Sequence, residues 1–422
     1  MNQVEEIQST ITTIDEVTRK AAVSVPVAHF QREFEAAMKN YAGKAKINGF
    51  RPGKAPREMV EKLYGESIKW DVVSKLVSSS LDEVMKQHEL QLVGSPKIDI
   101  TSEDPAQKLE YTADFSIYPT PKITGYEGLS VSVEKEDVNE EVVQKTIDSY
   151  RRARSTSKET TRTQVQADDI IDVSVVFKAK DGSETNSEHA TIGLGDGRLP
   201  KEFDEQVIGL KVGETKEVKL PAGDEGEMVY LVTLNKIMER ELPELNDEFV
   251  ASLGLEPKTV LELKLDIEKN LNAQSEAQAK EKAKNVIVEK LIEINPFQVP
   301  QALVDDEVRN LLIRVGAVDP KNTKFEDIPV EPFRESFGEM AAKRVKANIV
   351  TDMVAQAEKI TPNDEDMRNA FQEVAAQYRV SEAEARKMFT GRSLIHLAVE
   401  ITRSKTQDML VDKANVTYVK KG

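Results

Sequence analysis

Apolar positions along the chain recur with two different periods, and the change from one to the other divides it. Over about residues 1–117, Lys20-Ala-Ala-Val-Ser-Val-Pro26, Leu90 to Ile100 and Leu109 to Ile117 alternate or run apolar as strands do, whereas Phe30 to Tyr41 and Ile68 to Met85 carry helical spacing. This pattern predicts a small α+β domain. Residues 118–154 open on Tyr118-Pro-Thr-Pro121 and end in a charged helical segment, which reads as a connector. Over 155–243 the runs are short and β-like: Ile170 to Phe177, Glu217 to Leu220 and Met228 to Leu234. Glycine-containing breaks at Asp181-Gly182, Gly195-Asp-Gly197 and Gly213 separate them. That spacing predicts a small antiparallel sheet domain.

From about 244 to the end strand signals disappear and a helical region is predicted. Thr259 with Glu262, and Ser381 with Glu384, fit the capping box, in which the first side chain accepts from the backbone three residues on and the acid returns the bond. Thr361-Pro362 places proline where a first helical turn tolerates it. A helix from Thr259 to about Ile292 would be roughly 50 Å long and would protrude from a small domain. Val304, Val308, Leu311, Leu312 and Val315 share one helical face, Phe333, Phe337, Met340 and Ala341 another, and Val345, Ile349 and Met353 continue at four-residue steps. Two readings of these stripes stay open. They pack within the molecule, or part of them, with Val315, Phe337, Met340 and Met353 as candidates, stays uncovered as an adaptable surface for unfolded chains, where flexible methionines such as Met340, Met353 and Met388 suit varied partners.

Composition narrows the picture. Apolar residues (Ala, Val, Ile, Leu, Met, Phe, Trp and Tyr) make up 39% of the chain and charged residues 31%, with only 13 Phe, 9 Tyr and 1 Trp, which suits several small domains and long charged helices, an elongated molecule, better than one thick core. The absence of cysteine removes disulfides, thiol nucleophiles and thiolate metal sites. His29, His88, His189 and His396 are scattered with no HExxH-like pairing, so no metal is expected. With no basic-then-apolar leader at the amino terminus and no run of ~18 apolar residues, a soluble cytosolic protein without membrane contact is expected. No GxxxxGK[ST] loop is present, and Gly193-x-Gly195-x-Gly197 followed by Arg198 is not a dinucleotide fingerprint, so no nucleotide or other cofactor is expected.

Net charge is −16, which opposes general nucleic-acid binding. Against that background KNYAGKAKINGFRPGKAPR, residues 39–57, holds six basic residues (Lys39, Lys44, Lys46, Arg51, Lys54, Arg57) and no acid. Gly49 and Gly53 with Pro52 and Pro56 dictate a tight turn, and Phe50 would stand at its tip beside Arg51 and Lys54. An exposed aromatic flanked by cations can fill a pocket while the cations engage phosphates or carboxylates. The bland alternative is a solvated basic loop.

Gly49-Phe50-Arg51-Pro52-Gly53-Lys54-Ala55-Pro56 resembles the GFRxGKxP motif of the bacterial trigger factor family, the chaperones that dock at the ribosomal exit tunnel. The likeness extends in order through Ile123 to Glu134, Arg240 to Phe249, and Val299-Pro300-x-x-Leu303-Val304-x-x-Glu307. It implies a multidomain α+β chain: an α+β ribosome-binding domain (1–117), a connector belonging to the helical body (118–154), a small antiparallel β-rich peptidyl-prolyl isomerase domain of the FKBP type (155–243), and an elongated all-α body with helical arms that cradles clients (244–422). By this resemblance Lys46, Gly49, Phe50, Arg51, Pro52, Gly53, Lys54 and Pro56 form the docking loop. The implied partners are protein and rRNA of the large ribosomal subunit and unfolded nascent polypeptides, acted on without ATP, and a homodimer off the ribosome is left open.

Ile192 to Phe203 and Gly209 to Glu214 are similar to the isomerase elements G-x-G-R-x-I-P-G-F and G-x-x-x-G-E. Leu199, Phe203 and Tyr230 would line the proline pocket. Val176, Thr185 and Ala190 stand where aromatics are usual, and Pro200-Lys201-Glu202 replaces Ile-Pro-Gly, so turnover is expected to be weak or lost. A one-residue shift that brings Phe177 to the place of Val176 is the alternative. Competing functions are a free prolyl isomerase and an rRNA-binding assembly factor; the pocket departures weigh against the first and the overall acidity against the second.

Overall fold

The computed structural model describes residues 7–44, 50, 56–178, 187–221 and 227–420. The chain forms two compact units, one of 1–133 with 282–417 and the other of 134–281 with 418–422.

In the first unit β1 (Gln8–Thr13), β2 (Thr18–Val25), α1 (Val27–Lys44), α2 (Arg57–Gln87), β3 (Leu92–Ser102) and β4 (Leu109–Ile117) make an antiparallel sheet of order β1-β2-β4-β3 with its helices. Strict alternation along β4 sends Leu109, Tyr111, Ala113, Phe115 and Ile117 inward, where Ala21, Val23 and Val25 of β2 join them. Phe30 and Met38 of α1 and Val60, Ile68, Val72 and Val73 of α2 complete this core. The fully buried Tyr111 hydroxyl lies 2.7 Å from that of Ser80, so its burial leaves no polar atom without a partner.

β5 (Ser130–Lys135) runs from the first unit into the second. There α3 (Glu140–Ala153), β6 (Thr156–Glu159), β7 (Ile170–Lys178), β8 (Glu188–Gly193), α4 (Lys201–Val207), β9 (Thr215–Pro221) and β10 (Glu227–Glu241) form an antiparallel sheet of order β6-β10-β7-β8, with β9 also paired to β10. Its core holds Ile171, Val173, Leu194, Phe203, Val207, Val232 and Leu234. A second cluster packs α3 through Val143 and Ile147 against α5 (Asp247–Ser252) and the start of α6 (Val260–Ile294). Asn246 makes α5 begin where it does by accepting the Phe249 N–H at 2.8 Å.

The end of α6 returns to the first unit, whose helical part adds α7 (Gln301–Arg314), α8 (Arg334–Ala357), α9 (Asp364–Tyr378), α10 (Glu382–Met388) and α11 (Arg392–Lys413). The capping boxes at Thr259 and Ser381 form as the sequence predicts. At α9 the cap is Asn363, which pairs reciprocally with Asp366, so Pro362 lies before the helix and not inside its first turn. The absence of strands beyond 242 is corrected by β11 (Asn415–Lys420), which pairs with β5. Among the described residues no helix is long and apolar enough to cross a membrane.

Candidate functional sites

The basic loop joins α1 to α2. Of its candidate residues Lys46, Gly49, Arg51, Pro52, Gly53 and Lys54 lie outside the described residues. Phe50 is 38% exposed. Pro56 is exposed at the N-cap of α2 with φ −58°, and its carbonyl accepts the N–H of Met59 and of Val60, a place where the missing proline N–H costs nothing. The two flanking helices are joined by buried apolar side chains and by an exposed polar row. Arg57 donates to Glu35 at 2.5 Å, Lys75 to Glu33 at 2.7 Å, and Tyr41 to the Asp71 carboxylate. The Lys75 ammonium holds the Glu33 carboxyl below its ordinary range. Such exposed pairs contribute little stability singly, but they fix where the ends of the loop emerge.

In the sheet domain, register decides which side chains meet. Tyr230 of β10 stands opposite Phe177 of β7, with ring centroids 5.5 Å apart, while Val176 stands opposite Leu231. Alternation places Phe177 on the same face as Ile171, Val173 and Val175, the face that carries the core. Phe203, in the first turn of α4, is buried in that core, and Leu199 and Tyr230 pack on it half-buried. To the Leu199, Phe203 and Tyr230 that share this cluster, Phe177 adds a third aromatic through its contact with Tyr230. Phe177, the alternative that a one-residue shift offers, stands on the core face in place of Val176, because the β7 alternation puts 177 and not 176 in phase with 171 and 173. Ala190, opposite Val173 on β8, also faces the core and is small. Thr185 lies outside the described residues.

The helical stripes divide. Val304, Val308, Leu311 and Leu312 are buried in one cluster with Ala341, and Val345 and Ile349 are buried as well. Val315 lies one residue past α7 and is 60% exposed, and Met340 is 52% exposed. Phe337 is half-buried with its ring 6.5 Å from that of Phe333, and Met353 packs half-buried against Val350 and Val354. Further exposed apolar side chains, Tyr378, Val380, Met388, Leu394 and Ile395, lie on the α9–α11 segment. Apart from Met388, periodicity could not find them: they sit at helix ends and connections, where no stripe runs. Among the described residues no group of three or more His, Asp or Glu side chains is placed to hold a metal ion.

Large apolar side chains left uncovered on helices that already have packed cores are what a protein needs to hold other chains through many weak contacts. Together with the α+β domain whose two helices are joined by a basic segment, they fit the class of polypeptide-binding chaperones. The model of the bacterial trigger factor protein matches residues 7–150, and that of the trigger factor C-terminus matches 259–412. The trigger factor of Coxiella burnetii (strain CbuG_Q212) is 30% identical over 88% of this chain and 86% of its own, and that of Paracidovorax citrulli is 30% identical over 97% and 96%. A solved trigger factor chaperone structure, 19% identical, superposes over 96% of this chain and 99% of its own with a TM-score of 0.54, a likeness of fold. The chain belongs to the trigger factor family, and its role is that of a ribosome-associated chaperone.

Proposed function

We propose that this chaperone divides its work among docking by residues 1–117, prolyl isomerisation by 155–243, and client holding by the helical body of 118–154 and 244–422. Docking runs through Lys46, Gly49, Phe50, Arg51, Pro52, Gly53, Lys54 and Pro56, with the aromatic tip seated in ribosomal protein and the cations on rRNA. Client holding uses Val315 and Met340, which are exposed, with Phe337 and Met353 at the edges of the cores beside them.

The isomerase pocket consists of Phe177, Leu199, Phe203 and Tyr230. The observation that carries this assignment is the Phe177–Tyr230 pair on the core face. Rotation about an X-Pro bond meets a barrier of ~18–20 kcal/mol and needs no acid, base or metal. A pocket that holds the proline ring and removes water from the amide as it loses planarity is enough. With Phe177 in place the pocket keeps most of its aromatic wall; Ala190 leaves a gap, so turnover is present and reduced.

NMR exchange on a prolyl tetrapeptide tests this. The intact chain should accelerate isomerisation, and Phe203→Ala and Tyr230→Ala should each lower kcat/KM by about tenfold or more, on the scale of one lost apolar contact of ~1–3 kcal/mol. A wild-type rate equal to that of the free peptide would overturn the assignment.

A further inference from the structure

Between the end of α3 and the loop after β8 lies an open cavity of about 470 Å³, walled in part by Ser149, Arg152, Gly193, Arg198 and Arg240. Two of its arginines bond to the loop. Arg240, near the end of β10 and with 4% of its side chain exposed, places Nη1 2.8 Å from the Asp196 carboxylate. Its Nε donates to the Asp168 carbonyl at 3.0 Å and its Nη2 to the Leu194 carbonyl at 3.4 Å. Arg152, one residue before the end of α3, donates from Nη1 to the Gly195 carbonyl at 2.5 Å and pairs through Nη2 with the Asp168 carboxylate at 2.8 Å. Two guanidinium groups thus hold residues 194, 195 and 196 in succession, a use of their fixed fork of donors that a lysine cannot copy.

The loop has no slack around them. Gly195 has φ +74°, and a Cβ there would come within 2.8 Å of the Asp168 carboxylate and 3.1 Å of Arg152. A Cβ on Gly193 would run into Asp196 and Arg240. The Gly195 N–H donates to the Asp204 carboxylate of α4 at 2.9 Å. Three residues beyond Asp196 comes Leu199, then Pro200 as the N-cap of α4, then Phe203. The anchoring side is rigid in turn: Val143 and Ile147 bury α3 in the cluster with Phe249, Val250, Leu263 and Ile267, and Arg151 donates to the Pro243 carbonyl at 2.9 Å.

We propose that Arg152 and Arg240 are positioning residues for the prolyl pocket, with Arg152 carrying the hold from the α3 helix, outside the sheet domain, to the loop that sets Leu199. This rests on the prolyl-pocket reading above. A wall displaced by a fraction of an ångström grips the proline ring less well, so the effect belongs in substrate binding more than in the rotation step.

The test uses the full chain with Arg152→Gln, its conservative partner Arg152→Lys, and Phe203→Ala, read by hydrogen exchange of the 193–199 amides and by KM and kcat for a prolyl tetrapeptide. Arg152→Gln should speed exchange in the loop while leaving β7 and β10 protected, and should raise KM about tenfold with kcat within about twofold. Arg152→Lys should restore only part of the loss, because it keeps the charge without the fork. Arg240→Gln should act in the same direction, and Arg152→Gln keeps the test sound if the buried Arg240 variant fails to fold. If Phe203→Ala abolishes turnover and Arg152→Gln changes neither loop exchange nor KM, the positioning role is wrong. Turnover unaffected by Phe203→Ala, or absent in the wild type, instead removes the pocket reading, and the proposal with it.

Discussion

Tyr118 links the strand end of the amino-terminal domain to the helices through one half-buried hydroxyl. It donates to Asp352 at 3.0 Å, and Arg403 grips the same carboxylate with two bonds of 2.7 and 2.8 Å. Burial first, and then the Asp352 charge, push the Tyr118 phenol above its ordinary value of 10.0. A phenol whose folded value is raised holds its proton longer in the folded state, so its contribution is complete below pH 10 and is lost as pH climbs past that value. Tyr118→Phe should cost about 1.5–3 kcal/mol at neutral pH, the scale of one hydrogen bond to a charged acceptor, and should flatten the alkaline limb of a urea-melt pH profile. Gly94 makes a second prediction at this scale. Its φ is +69°, and a Cβ built there would stand 2.7 Å from that of Ala302 at the start of α7. Gly94→Ala combines a left-handed strain of about 1 kcal/mol or more with a clash against the Ala302 methyl group, so the urea midpoint should fall, while Gly43→Ala in α1, with nothing within 4 Å, should not lower it. Such residue-level facts were only partly legible. The β7 alternation was readable and by itself puts Phe177, not Val176, in phase with Ile171 and Val173; what one strand could not show is that Tyr230 of β10 stands opposite Phe177.

At the scale of elements, what could be read was whatever one segment decides for itself. The β4 alternation, the four-residue steps of α7 and α8, and the Thr259–Glu262 box that starts α6 are local, and each formed as predicted. β1, β5, β6, β8 and β11 escaped. Gln8–Thr13 is threonine-rich with one central isoleucine, and Asn415–Lys420 follows α11 with no glycine or proline between, so neither announces a strand; each exists because β2 or β5 offers an edge. Side-chain links between elements were likewise invisible. Arg334 at the start of α8 reaches back to Asp305 of α7 with bonds of 3.0 and 2.6 Å. Partial burial opposes ionisation of Asp305, but the bonds from Arg334 and Gln301 outweigh it and hold the carboxyl below its ordinary 3.8. For an acid so depressed, the stabilisation is present above 3.8 and is lost as pH falls through and below that value. Asp305→Asn should therefore lower the thermal midpoint at pH 7, and its deficit relative to wild type should shrink as pH drops below 4. A constant deficit down to pH 3 would show that the pair is not the cause.

At the scale of the whole molecule, charge is distributed so that two kinds of binding respond oppositely to salt. The chain carries −16 overall, yet six cations and no acid occupy residues 39–57, and the uncovered side chains of the helical segments, Val315, Met340, Met388 and Ile395 among them, are apolar. Contacts to phosphate release counterions, so if three of the six cations engage rRNA, raising salt from 50 to 200 mM should weaken ribosome binding on the order of ten- to a hundredfold. Apolar contacts are not screened, so suppression of aggregation of a denatured client should change little or strengthen over the same range. Co-sedimentation with ribosomes checks the first half. The triple variant Phe50→Ala, Arg51→Ala, Pro52→Ala should sediment poorly at low salt, and its remaining binding should depend less steeply on salt, because one cation is gone. The same variant should hold a denatured client as well as wild type does, since none of the three residues lies in the helical body. A variant that still sediments normally would place docking elsewhere, and one that loses both activities would mean that the basic loop and the apolar surface act as one site.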